Sequence, residues 1–423
     1  MDCHAANEPE GDFVLDSFES LMKGGDIGLA IVPGKSSESL LVKMIEGRFE
    51  KDGKKKIMPP GKRAKLKAEE IATIKSWIDA GAIAPATATA PKELAVPKVA
   101  PKASPRRPVN ALAYTPSAEF VAVARYGDVE IRTARGFTLL RVLAGHTGNI
   151  NALTFSADGS RLFAAGGQPG LAGEVREWRV SDGTLIRTLK GHKDAIYSAA
   201  LSPDGKILAT GSYDQKIKLW HAGTGEEIRT LSGHNGCVYD LAFRSDGKIL
   251  ASASADRTVK LWDVASGERR ETFSQPLKEV YCVAFSPDGK RLYAGGADNR
   301  IRVWQISESA AETTNPILES KFAHEGTVLN LVISADSKTL ASSADDGTVK
   351  VWDAIEMKER VLLEKQPDWP AAIAFLGEDK TLAVGRLDGS IGLYNVATGS
   401  VTASLSAETK LIGSVTKEKS AAK

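Results

Sequence analysis

Cysteine is scarce in this sequence: 423 residues hold three, at Cys3, Cys237 and Cys282. An odd count at these spacings excludes a disulfide framework. Cys237 and Cys282 fall in apolar strand patterns and read as buried free thiols. An excess of charge of one sign is also lacking. Lys and Arg number 55 against 53 Asp and Glu, a net of +2. Nucleic-acid binding usually leaves a strong basic excess, so no nucleic-acid partner is expected. No run of about 18 apolar residues exists, so no membrane span is expected. Met1 is followed by Asp2, Cys3 and His4, without the basic and then apolar stretch of a signal peptide. The length exceeds one ordinary core, which implies two or three domains unless a repeat absorbs it.

A repeat is present. Ile217-Lys218-Leu219-Trp220, Val259-Lys260-Leu261-Trp262, Ile301-Arg302-Val303-Trp304 and Val349-Lys350-Val351-Trp352 alternate apolar with basic, the signal of a strand. Successive Trp residues from Trp178 to Trp352 lie 42, 42, 42 and 48 positions apart. Seven units open on apolar strands near Val109, Ile150, Ala195, Val238, Val280, Val328 and Ala371. Many carry a Ser-x-Asp-Gly turn, as at Ser202 to Gly205, where Gly tolerates positive φ. With its Gly-His and Trp-Asp markers, the unit resembles the WD repeat. That resemblance implies a seven-bladed β-propeller over residues 107–407, four antiparallel strands to each blade. The fold class is thus mainly β. Arg132 and Tyr394 stand where Trp is expected in the first and last units. The resemblance also implies hydrogen-bonded sets inside blades: His192, Thr210, Asp214 and Trp220; His234, Ser252, Asp256 and Trp262; His324, Ser342, Asp346 and Trp352. His with Asp and Ser invites a hydrolase reading, but a set repeated in three blades fits a buried fastener and not an active site. The second unit has His146 and Trp178 around an irregular stretch, Gly166 to Gly173, which is expected to contact a partner.

Residues 1–83 read differently. Asp2-Cys3-His4 matches the end of a Cys-x-x-Cys-His haem attachment site. The spacing predicts a helix from Ser36 to Gly47, capped by Ser36 or Ser37, with Leu40, Leu41, Met44 and Ile45 on one face. A lysine-rich loop (Lys51, Lys54, Lys55, Lys56) leads to Met58-Pro59-Pro60, where two prolines stiffen the segment that presents the thioether. A second helix is predicted over Leu66 to Ala80, with Ile71, Ile74, Trp77 and Ile78 on its apolar face. Few partners for that face are evident, which points to a further helix upstream. Residues 84–106, rich in Ala, Pro and Lys, read as a semi-extended linker, and residues 408–423 as a polar tail.

Asp2-Cys3-His4, Ser20 to Gly25, Ile31-Val32-Pro33-Gly34-Lys35, Met58-Pro59-Pro60 and Trp77 to Ala82 resemble the planctomycete-type cytochrome c domain. The resemblance implies an α-helical domain with covalent haem c: Cys3 as a thioether site, His4 as the proximal iron ligand and Met58 as the distal one. The first thioether cysteine would fall one position before Met1. The expectation is therefore that the intact protein carries an upstream signal peptide, helix and cysteine, and works in the periplasm, where haem c is attached. Basic residues near Met58 (Arg48, Lys62, Arg63, Lys65, Lys67) would either rim the haem edge for an acidic redox partner or form a solvated loop.

Together these readings imply a non-enzymatic protein, a haem c electron-transfer module tethered to a propeller whose faces bind protein partners. The alternative is a protein-binding scaffold with an inert haem module. An enzyme with its site in the propeller channel would need ligands for a second cofactor, and none is evident.

Overall fold

The computed structural model describes residues 13–15, 17–51, 53–59, 64–84, 107–376 and 379–406. The chain divides into two compact units, residues 1–102 and 103–423.

In the first unit the described residues form helices α1 (Phe18–Lys23), α2 (Leu40–Ile45) and α3 (Ala68–Asp79). The sequence reading missed α1, whose six residues are too few to show a period; Ser17 caps it by accepting a hydrogen bond from the Ser20 amide. Helix α2 is shorter than predicted. Ser36 is not its cap: the Ser36 hydroxyl and amide both donate to the Asp79 carboxylate, at 2.8 Å each. Ser39 holds the N-cap position and turns its hydroxyl back to the Lys35 carbonyl. The buried side chains of α2 are Val42 and Ile45, so of the predicted face only Ile45 is buried. Gly47 ends the segment with φ +67°, a conformation that favours glycine. Ile78 of α3 is fully buried with Ile31 and Val42, and Leu21 and Met22 of α1 pack on that core. The apolar face of α3 therefore has partners within these residues. The lysine-rich stretch is a hairpin and not a loop, Phe49–Lys51 pairing with Lys54–Lys56.

In the second unit the described residues form only strands and their connecting turns. Five four-stranded sheets and one seven-stranded sheet follow each other in chain order. In the Trp262 sheet, Val238–Phe243, Ile249–Ser254, Val259–Asp263 and Arg269–Phe273 pair antiparallel in sequence. Its second strand, Ile-Leu-Ala-Ser-Ala-Ser, is buried at every position because other sheets cover both its faces. Gly247 turns the first corner with φ +71°. The seven-stranded sheet owes its width to one 17-residue strand, Leu139–Phe155. Its first part pairs with Tyr126–Thr133 and its second with Arg161–Gln168, so it is outermost in one four-strand set and innermost in the next.

Each sheet's innermost strand lies beside the next sheet's, and the last, Ala372–Leu376, lies beside the first, Ala111–Tyr114. Apolar clusters fill the gaps between sheets. One joins Val121, Val123 and Phe137 to Ala372, Ala383 and Ile391 across the junction of the first and last sheets. The Val109 amide donates to the Arg386 carbonyl at 3.0 Å at that junction. Phe137 is 2 % exposed there, and burying such a ring is worth about 1.5–3 kcal/mol. The described strands thus close a ring by packing, without exchange of a strand between its ends.

Candidate docking face and haem ligands

The predicted His–hydroxyl–Trp sets form in three sheets. In the Trp262 sheet, Trp262 Nε1 donates to Ser252 Oγ at 2.8 Å, Ser252 meets His234 Nε2 at 2.7 Å, and His234 Nδ1 meets Asp256 at 2.7 Å. A carboxylate only accepts, so Nδ1 carries the ring proton and Nε2 accepts from Ser252, which leaves every member satisfied. Burial holds the His234 pKa down. Burial pushes the Asp256 carboxyl up, but its bonds from His234 and Thr258 outweigh this and keep it below the usual carboxylate range. His192, Thr210, Asp214 and Trp220 repeat the arrangement.

The third set departs from prediction. His324 Nδ1 meets Thr348 Oγ1 at 2.6 Å, and Thr348 donates onward to Asp346 at 2.6 Å. Asp346 is therefore reached through a hydroxyl and not directly. Ser342 still links His324 to Trp352.

The remaining sheets replace or lose the network. His146 and Trp178 are both buried, yet neither His146 nitrogen nor Trp178 Nε1 has a hydrogen-bond partner among the described residues. Ala164 stands where Thr210 and Ser252 stand in their sheets, 18 positions after the histidine. Trp304 also lacks a partner for Nε1 and stacks instead on Phe273 at 4.7 Å. In the last sheet, Arg386 donates to both Gln366 and Tyr394 at 2.8 Å. In the first, Arg132 donates to Glu130 at 2.8 Å and Arg125 at 3.3 Å, all three side chains being 3–6 % exposed. No motif announces these two substitutes in the sequence.

These residues are internal. The side chains left for a partner lie at the edges, and one end of the sheets is rich in them. The loops there lead from outer strand to next inner strand, and from second strand to third. They expose Tyr126, Leu171, Tyr213, Leu277 and Trp369, each at least half accessible. Leu171 comes from the irregular stretch singled out in the sequence, which is the hairpin between Arg161–Gln168 and Ala172–Arg179. Three half-buried tyrosines, Tyr197, Tyr239 and Tyr281, start inner strands at the same end. Their rings touch in series, 5.5 Å from Tyr197 to Tyr239 and 4.8 Å from Tyr239 to Tyr281, and Tyr213 lies 6.3 Å from Tyr197. Sequence reasoning missed them, although their spacing of 42 equals that of the tryptophans.

Of the three residues expected to hold haem, Cys3 and His4 lie outside the described residues. Met58 is half-buried beside the hairpin, and its amide donates to the Met44 carbonyl at 3.1 Å. Among the described residues no His, Cys, Asp and Glu cluster suits a metal ion. Cys237 and Cys282 are buried free thiols, with pKa pushed up by burial, to about 12 for Cys237. No described helix is long and apolar enough to cross a membrane.

Comparison with known families agrees with the division of the chain. A model described as planctomycete cytochrome C matches residues 1–62, and one described as WD domain, G-beta repeat matches residues 137–178. A WD repeat-containing protein of Synechocystis sp. is 30% identical over 115 residues, 26% of this chain and 32% of that one. The intraflagellar transport protein 122 homolog of Danio rerio is 46% identical over 65 residues, 15% of this chain and 5% of that one. Eukaryotic translation initiation factor 3 subunit I of Aspergillus niger is 33% identical over 78 residues, 18% of this chain and 22% of its own length. The matches thus span a third or less of each relative. The model described as IFT122 first beta-propeller matches residues 169–421, more than half of the chain, which therefore belongs to that WD-repeat propeller family.

Proposed function

We propose that this chain is a non-enzymatic docking scaffold: a seven-bladed propeller whose loop-bearing face binds a protein partner, joined through residues 84–106 to a haem c module that delivers electrons there. Counting the long strand twice divides the seven-stranded sheet into two four-strand sets, and five plus two gives seven blades. The observation that carries the docking role is that Tyr126, Leu171, Tyr213, Leu277 and Trp369 are all exposed in loops at one end of the ring. Exposed aromatic and aliphatic groups on a rigid platform favour association. A photo-crosslinking residue at Leu277 or Trp369 should capture partner protein in extracts of the native host. The same residue at Ile355, on a loop at the other end, should not. Equal capture at both ends would remove the docking face from the proposal.

The match of residues 1–62 to a cytochrome family and the partly buried Met58 support the haem role. Cys3 would anchor the porphyrin, and His4 and Met58 would hold the iron, whose one-electron chemistry the haem supplies. Such a protein would work in the periplasm with a redox partner. After expression with haem-attachment machinery, the chain extended upstream should show a covalent haem spectrum, and Met58→Ala should change its axial-ligand bands. A colourless product would favour the alternative, a scaffold with an inert haem module; an unchanged spectrum would remove Met58 as ligand.

A further inference from the structure

Tyr197, Tyr239 and Tyr281 have more in common than position. Each sits at a β-bulge, where the register slips between Ile196 and Ser198, Val238 and Asp240, and Val280 and Cys282. A bulge leaves one residue unpaired and re-aims its side chain. The equivalent bulges elsewhere carry Asn151 and Leu329. Three successive sheets therefore use the same backbone irregularity to bring three phenol rings into one row.

Acidic side chains flank two rings of the row. The charged groups acting on Tyr197 and Tyr281 are the carboxylates of Asp194, Glu279 and Asp345. Burial raises all three phenol pKa values, so the rings stay neutral at physiological pH. Asp194 accepts from the Gly170 and Ala195 amides, and Asp345 from the Thr327 amide, which fixes both carboxylates in place. Lys193 and Lys278 sit in the same loops and are exposed, turned to solvent.

We infer that the row of Tyr197, Tyr239 and Tyr281, with Asp194, Glu279 and Asp345, receives a lysine or arginine side chain from a protein partner. Ring faces attract a cation through their quadrupole, and the carboxylates supply the opposite charge. Asn151 and Leu329 end the row on either side, which confines the site to one sector of the ring. This inference rests on the docking role proposed above and names the partner chemistry.

Short glycine/serine peptides titrated into the full chain by calorimetry test it. One carries two adjacent lysines, one two arginines, one two glutamates and one two N-acetyl-lysines. The lysine and arginine peptides should bind about tenfold or more tighter than the others. Tyr239→Leu with Tyr281→Leu should abolish that preference, whereas Tyr239→Phe with Tyr281→Phe, which keeps the rings, should retain it. Equal binding of all four peptides, no binding, or binding indifferent to the leucine pair would overturn the inference. If the leucine pair unfolds, Glu279→Gln with Asp345→Asn must still weaken the lysine peptide, and no change there would also overturn it. Loss of the peptide preference with crosslinking at Leu277 and Trp369 intact would sink the cationic site alone; loss of both would sink the docking role as well.

Discussion

The Trp262 sheet and the second half of the seven-stranded sheet have the same strand order, a buried histidine and a buried tryptophan, and differ in what holds that pair: Gln168 stands where Asp256 stands, and His146 Nδ1 faces Glu174 at 3.5 Å instead. Ser252 joins His234 to Trp262; Ala164 leaves His146 and Trp178 unjoined. Both sheets nonetheless form. The first half of the seven-stranded sheet and the last sheet lack a joined His–Trp pair and hold the same region with Arg125–Glu130–Arg132 or Gln366–Arg386–Tyr394. Interchangeable chemistry at one structural position marks a fastener. It also separates the two populations of polar residues in the ring: buried ones that hold sheets together, and edge ones left for a partner.

The comparison can be broken by removing fasteners. Glu130→Ala strands two buried guanidinium groups and should cost about 3–5 kcal/mol, the largest effect expected, read from urea unfolding. Ser252→Ala leaves His234 Nε2 and Trp262 Nε1 each buried without a partner and should cost about 2–4 kcal/mol. A change under about 0.5 kcal/mol would mean that the hydrogen bonds hold nothing.

Acid sharpens the same contrast. Burial lowers the pKa of His146 to about 3 and of His324 to about 4, below the unfolded value of about 6.5. The unfolded chain then binds more protons, so stability is full above pH 6.5 and is lost as pH falls from 6.5 toward 4. Asp240 has the opposite sign. Its place among the inner strands raises its pKa to about 6, despite hydrogen bonds from Val283, Leu241 and Ser198. The folded chain keeps that proton from about pH 4 to 6, so this group stabilises on acidification and loses its contribution as pH rises through 6. Asp240→Asn removes the compensation. The acid loss should then steepen by up to one proton, about 1.4 kcal/mol per pH unit, between pH 4 and 6. An unchanged slope would place the Asp240 titration elsewhere.

Much of this was legible in the sequence because propeller strands repeat. The 42-residue spacing located the sheets, and the resemblance to the WD repeat pointed to three networks. What repetition did not carry was lost. Thr348 sits between His324 and Asp346, and spacing alone could not show a relay. Gln366 and Arg386 are 20 positions apart and meet only because two strand ends meet. The tyrosine row needed the bulges to be known, since ordinary alternation gives no reason to bring those rings together. In the first unit, α1 is shorter than two helical turns, and Ser36 looked like a cap until Asp79, 43 residues away, proved to hold it.

The gain predicted for Ala164→Ser is the smallest of these effects and the most direct test of the fastener account. The new hydroxyl should accept from Trp178 Nε1 and donate to His146 Nε2, as Ser252 does in its own sheet. The urea midpoint should rise by an amount equivalent to about 1 kcal/mol with the slope unchanged. A midpoint that stays or falls would contradict the account, because the missing hydroxyl would then not be what leaves His146 and Trp178 unjoined.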